Sequence, residues 1–162
     1  MATKTNAVRL VQQAGIPCRE AFYEFDEQDL SGGHAAQAIG MPEEQVFKTL
    51  VARGEKTGIN VFCIPVCCEL DLKKAAAAVG EKSIEMLKSK DLLPLTGYVH
   101  GGCSPIGMKK QFRTIIDASA EKCERIMFSA GKIGWQVETT LDALRSVLPV
   151  ESRDVAAPAD RP

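Results

Sequence analysis

Two segments of this chain carry residue types that could do chemistry. The first, Thr96-Gly97-Tyr98-Val99-His100-Gly101-Gly102-Cys103-Ser104-Pro105-Ile106-Gly107-Met108, concentrates glycine, proline and small polar residues. Glycine tolerates positive φ and lets a ligand approach backbone N–H groups closely. Such groups can hold an oxyanion, a carbonyl oxygen or a phosphate. The same composition also suits a plain connecting loop, and the residues alone leave both readings open. The second is Lys48 within Val46-Phe47-Lys48-Thr49-Leu50-Val51. Strand alternation sends Phe47 and Thr49 to one face and Lys48 to the other. Lys48 then points either into a cleft or onto a solvated sheet face, and pattern alone favours the solvated face.

Other chemistries find no support. Gly-Gly-Cys-Ser-Pro-Ile-Gly lacks the Lys-Ser/Thr pair that a phosphate-binding P-loop places after its glycines. There is no Gly-x-Ser-x-Gly elbow and no His-Glu-x-x-His pair. The six cysteines cluster only at Cys63, Cys67 and Cys68, with no Cys-x-x-Cys pair, and His34 and His100 do not sit at zinc-site spacing. No metal and no cofactor is therefore expected, and the cysteines read as reduced, small apolar packing residues. His100 flanks the glycine loop and could act, although a lone histidine beside glycine is more often a surface or packing residue. Lys109, Lys110 and Arg113 follow the loop, and Lys73, Lys74, Lys82, Lys88 and Lys90 add positive charge in mid-chain. With a formal net charge of −1, any nucleic-acid contact must be a local patch.

These residues need a scaffold, and 162 residues supply one domain with a proper core. Hydrophobic residues at 45% and charged residues at 25% exclude disorder, collagen-like repeats and coiled coil as the main state. The apolar run from Ile59 to Cys68 is broken by Asn60 and Pro65 and falls short of the roughly 20 residues a membrane span needs. Met1–Gly15 is polar then amphipathic and does not read as a secretory signal, so a cytoplasmic protein without a membrane partner is expected.

Thr5 and Asn6 offer N-cap oxygens to a helix that stops at Gly15. Strands are predicted at Ala21–Phe25, Val46–Val51, Gly58–Val66, Ser83–Met86, Phe112–Ile116, Arg125–Ser129 and Trp135–Glu138. Helices are predicted at His34–Ile39, Leu70–Val79, Leu87–Leu93 and Thr140–Leu148, with helical turns at Pro42–Glu44 and Ala118–Cys123 and a turn at Leu30–Gly33. Beyond Pro149 the chain is rich in Ala, Pro and charge and is expected to fray, giving a domain over 1–148 and a flexible tail over 149–162. Short strands and helices interleave irregularly, which favours a mixed α+β domain over a doubly wound parallel sheet.

Taken together, Phe47-Lys48-Thr49-Leu50 and the stretch from Thr96 to Lys110 resemble the YbaK/EbsC family. Its members are aminoacyl-tRNA deacylases related to the editing domain of bacterial prolyl-tRNA synthetases. Leu70-Asp71-Leu72-Lys73-Lys74-Ala75-Ala76 and Phe128-Ser129-Ala130-Gly131-Lys132-Ile133-Gly134 match as well, so the resemblance runs from about Ala2 to Leu148. It implies an α+β fold whose partly barrel-like sheet is surrounded by short helices. It implies further that Lys48 contacts the terminal adenosine of an aminoacyl-tRNA and that Gly101 and Gly102 hold the ester carbonyl. Tyr23, Thr49, Ser104, Pro105 and Ser129 would line the pocket.

In the YbaK branch the thiol of a mischarged cysteine on proline tRNA attacks its own ester carbonyl, so no protein nucleophile is required. The resemblance thus implies trans-editing of Cys-tRNA(Pro), or of Cys-tRNA(Cys), with prolyl-tRNA synthetase as partner. A deacylase for another mischarged tRNA such as Ala-tRNA(Pro), or a non-catalytic module binding a nucleotide or aminoacyl end, stays open. Cys103 reads as a small packing residue in the loop. One departure stands out: Ala130 occupies a position where relatives commonly carry a second glycine.

Overall fold

A computed structural model describes residues 4–25 and 32–159. Three sheets and five α-helices make up this mixed α+β fold, and the sheets do not close into a barrel. Thr5 caps helix α1 (Asn6–Ala14) by accepting from the Val8 N–H, and Gly15 ends it in the left-handed conformation, as the sequence predicts. Asp71 caps α3 (Leu72–Val79) through the N–H groups of Lys73 and Lys74, and Thr140 caps α5 (Leu141–Val147). Helix α2 spans Gly32–Ile39 and α4 spans Ser89–Thr96. Leu30 and Ser31, expected in a turn, lie outside the described residues. The expected stop of α4 before Pro94 is not observed. Pro94 sits late in the helix, where its missing N–H removes one bond, and Gly97 supplies the terminating left-handed turn.

The largest sheet runs β5-β2-β3-β6-β9. Its strands are β2 (Phe47–Gly54), β3 (Gly58–Pro65), β5 (Ile84–Met86), β6 (Arg113–Asp117) and β9 (Glu151–Arg153). Strand β3 is covered on both faces: Cys63 joins a cluster with α1 and α5, while Phe62 and Ile64 join Ala75, Ala76 and Val79 of α3. Alternating side chains of one strand thus feed two cores. A second sheet, β1-β8-β7, is antiparallel and is formed by β1 (Arg19–Phe22), β8 (Trp135–Thr139) and β7 (Ile126–Lys132). The two sheets touch through one parallel bridge, Val46 to Met127. The third sheet pairs β4 (Cys68–Leu70) with β10 (Ala156–Pro158).

The expectation of a frayed tail is therefore corrected over residues 151–158. Its physical reason is Asp117, whose buried carboxylate accepts backbone N–H bonds from Ser119, Val155 and Ala156. The returning segment needs no large apolar run because its backbone is paired on both sides, parallel to β6 and antiparallel to β4. A two-pronged Arg113–Glu151 pair adds to the β6–β9 edge, although its partial exposure keeps the gain small.

Burial alone would raise the Asp117 pKa, but the hydrogen bonds from Ser119, Val155 and Ala156 outweigh it and hold the carboxyl below its usual value. Its stabilising contribution is thus complete above the unfolded carboxyl value, about 3.9, and is lost as pH falls through the lower folded value. Asp117→Ala leaves the Val155 and Ala156 donors without their acceptor and is expected to cost about 1–3 kcal/mol. Denaturant unfolding at pH 7 and limited proteolysis over residues 149–159 check this; an unchanged midpoint and an uncut tail refute it.

Candidate active site

Strand β2 begins at the seam between the two large sheets, and a cleft of about 270 Å³ opens there. Its floor is the run Val46 to Leu50, and its other walls come from Tyr23, Ala35, Val66, Ser129, Gln136 and the loop residues His100, Gly101 and Cys103. Lys48 and Leu50 lie on the α3 side of β2, whereas Phe47 packs toward α1 and Thr49 approaches the Cys63 sulfur at 3.8 Å. Because the strand starts at the cleft, side chains of both faces reach it. Among the described residues Lys48 makes no ion pair, so its ammonium is available to an anionic ligand.

The glycine loop is closed at its base. The Lys109 N–H donates to the Thr96 carbonyl at 3.0 Å, and the buried Tyr98 hydroxyl donates to the Ile106 carbonyl at 2.5 Å. Thr96 Oγ1 in turn accepts from the Tyr98 N–H at 3.0 Å. Gly101 adopts φ +87° at the cleft wall, a conformation that strains any residue with a Cβ.

Five sequence-predicted site residues, Tyr23, Lys48, Thr49, Gly101 and Ser129, meet at this cleft. Gly102, Ser104 and Pro105 do not: all three are buried inside the loop. The Gly102 N–H is already committed to the Val99 carbonyl at 3.0 Å, and a Cβ on Gly102 would come within 3.0 Å of the Ile133 nitrogen. Ser104 Oγ accepts from the Ile106 N–H. These three residues shape the loop and are not among those lining the cleft.

Sequence reasoning missed Gln136. It is only 6% exposed, lines the cleft, and its Oε1 has no hydrogen-bond partner. A polar residue between Trp135 and Val137 in an alternating strand was the available signal. Gln136 stands directly across from Ser129 in the β7–β8 pair. Ser129 Oγ accepts from the Gly131 N–H at 3.0 Å, which leaves its own hydrogen free to donate. Gly131 has φ +100° beside a bulge, and a Cβ there would lie 2.8 Å from the Tyr98 ring. Ala130 needs no glycine, since no described non-glycine residue has positive φ.

The chemistry of this lining is sparse. Among the described residues it contains no aspartate or glutamate, one lysine and one histidine. Burial pushes the Cys103 thiol up to about 12, with Cys63 nearby adding to the shift, and Cys63 is likewise pushed up to about 12 by burial. Both sulfurs are protonated at neutral pH and poor nucleophiles. Among the described residues no cluster of three or more His, Cys, Asp and Glu side chains could hold a metal ion, and no helix is long and apolar enough to cross a membrane.

Residues 32–147 match the family model of the aminoacyl-tRNA editing domain. This chain belongs to the aminoacyl-tRNA editing family. It is therefore an aminoacyl-tRNA deacylase. Among relatives, EbsC of Enterococcus faecalis, whose name proposes it as a Cys-tRNA(Pro)/Cys-tRNA(Cys) deacylase, is 48% identical over 144 residues, covering 89% of this chain and 88% of that one. The editing fold recurs in a crystal structure described as a proposed trans-editing enzyme for prolyl-tRNA synthetase. It superposes with TM-score 0.79 at 24% identity over 96% of this chain and 99% of that one. The hypothetical protein APE2540 superposes with TM-score 0.85 at 18% identity, covering 94% and 100%.

The raised thiols make one prediction. Iodoacetamide at pH 7 is expected to label exposed Cys18 well before Cys63 or Cys103, which react only on unfolding. Peptide mapping checks the order; equal labelling of Cys103 and Cys18 in the folded chain would reopen a nucleophilic role for Cys103.

Proposed function

We propose that this deacylase acts on mischarged cysteinyl-tRNA, Cys-tRNA(Pro) first and Cys-tRNA(Cys) second, using the thiol of its substrate as the nucleophile. The observation that carries this is the cleft itself: a free lysine ammonium and hydrogen-bonding groups converge there, and its lining among the described residues holds no carboxylate and one thiol, the protonated Cys103. Such a site can position and polarise an ester but supplies no nucleophile of its own. The 48% identity to EbsC supports the same substrate class.

In this reading Lys48 holds the terminal nucleotide through phosphate or ribose oxygen, and the Gly101 backbone faces the ester carbonyl. Tyr23, Thr49, Ser129 and Gln136 orient the aminoacyl group. The substrate sulfur attacks its own carbonyl carbon, the bond from carbon to ribose oxygen breaks, and that oxygen takes the proton lost by the thiol. His100 is the imidazole lining this cleft and is able to relay that proton. The products are free tRNA and a cyclic thioester, which water opens to cysteine. Holding sulfur and carbonyl in contact supplies the acceleration. A serine or alanine ester has no thiol to use. With a formal net charge of −1 the chain offers little general attraction to the tRNA body, so choice among tRNAs falls to a partner, for which prolyl-tRNA synthetase is the candidate.

The test is deacylation of cysteinyl-, alanyl- and seryl-tRNA(Pro) by the purified chain. Selective loss of cysteine is expected. Faster release of alanine would keep the site and overturn the substrate-thiol step, and no turnover on any of the three, with or without the synthetase, would point to a binding module. Lys48→Ala is expected to lower the rate by about 10²–10³ with an unchanged unfolding midpoint; full turnover in that variant would remove Lys48 from the site.

A further inference from the structure

Cys67 and Cys68 take no part in the chemistry above, yet their sulfurs lie only 3.9 Å apart. Cys67 ends the turn between β3 and β4 and Cys68 begins β4, and both are half-buried, open enough for a reagent to reach. Their surroundings are fixed on every side. Val66, immediately before them, lines the cleft, and its N–H donates to the Val46 carbonyl at 2.8 Å. Cys68 begins β4 and pairs with Pro158 of β10. The Lys48 ammonium and the Asp117 carboxylate both lie close enough to act on Cys68 electrostatically. The four remaining cysteines differ: Cys18 is exposed, Cys63 and Cys103 are buried, and half-buried Cys123 turns its thiol to the Glu44 and Ser119 carbonyls.

Two adjacent thiols on a braced turn can be oxidised together or can chelate a soft centre. Burial and the neighbouring Cys67 push the Cys68 thiol up to about 11. Peroxide chemistry runs through the thiolate and is slow for such a group. Condensation with a trivalent arsenic hydroxide consumes thiols directly, and sulfur ligands favour soft centres.

We propose that Cys67 and Cys68 form a chelating site for a trivalent thiophilic centre of the organoarsenical class, set against the Lys48 side of the cleft. Two sulfur–arsenic bonds form and two arsenic–hydroxyl bonds break. Each S–H proton leaves with one hydroxide as water, and no oxidation state changes. Bridging locks the turn that carries Val66 and sets the organic group of the arsenical beside Lys48, so occupancy slows turnover. That coupling to turnover, though not the binding, rests on the deacylase reading of the cleft.

The probe is phenylarsine oxide, read by intact-protein mass spectrometry of the folded chain. One phenylarsenic unit per chain is expected, removed by a small dithiol but not by a monothiol. It is retained in Cys18→Ser and lost in both Cys67→Ser and Cys68→Ser, whose unfolding midpoints match the parent. Retention of the label in those two variants, its loss in Cys103→Ser instead, or no label on the folded chain would overturn the site. Deacylation by the labelled chain is expected to fall several-fold, and an equal rate would overturn the coupling. If the unlabelled chain shows no turnover, the functional reading fails while the mass result still decides the site.

Discussion

The single parallel bridge between Val46 and Met127 is the constraint from which the site follows. Two sheets meet there and then diverge, β2 running on along β3 and β5 and β7 along β8. Continued pairing would have closed the seam and filled it with side chains. Divergence leaves space at the start of β2, where Lys48 and Thr49 point to opposite faces and yet both reach the opening. The glycine loop then roofs this space. Its shape is held by hydrogen bonds from buried Tyr98 and Thr96, so the Gly101 backbone is presented without help from a ligand. Preorganisation of that kind is what an ester-cleaving site needs when its side chains supply little chemistry.

The balance of polar and apolar groups fits that economy. Among the described residues the lining offers donors and acceptors in Tyr23, Thr49, Ser129 and Gln136, with Lys48 and His100 as its one lysine and one histidine. An unpartnered Gln136 Oε1 in so buried a place is costly unless something donates a hydrogen bond to it in use. Trp135, Gln136 and Val137 show how one strand serves both needs. The flanking residues join the core with α1 and α5, and the middle one faces the opening.

Elements whose signals are local were legible in the sequence. Thr5 and Gly15 bracket α1, the helix expected over Leu70–Val79 forms as Leu72–Val79, and the glycine density marked the loop. Strand β1 begins at Arg19, two residues before the Ala21 start expected, because its register is set by pairing with β8 and not by its own polar residues. β4, β9 and β10 were invisible for a related reason. Each has three residues, and Asp117 and the neighbouring strands hold them in place from far along the chain. The site divides likewise. Lys48, Thr49, Tyr23, Gly101 and Ser129 meet at one cleft, whereas motif membership could not separate the loop residues that line it from Gly102, Ser104 and Pro105, which are buried in the loop. That separation depends on where each N–H and hydroxyl finds its partner.

The C-terminal strands also bear on how the chain is made. β9 and β10 are synthesised after every other described element, yet β9 completes the edge of the main sheet and β10 pairs with β4. Domains fold as their segments leave the ribosome, and here the segment that secures Asp117 arrives after every strand it joins. Until it does, an unpaired edge and an unsatisfied carboxylate persist on the nascent chain. A protein that guards the accuracy of translation thus acquires its own finished form only after its ribosome has passed residue 158.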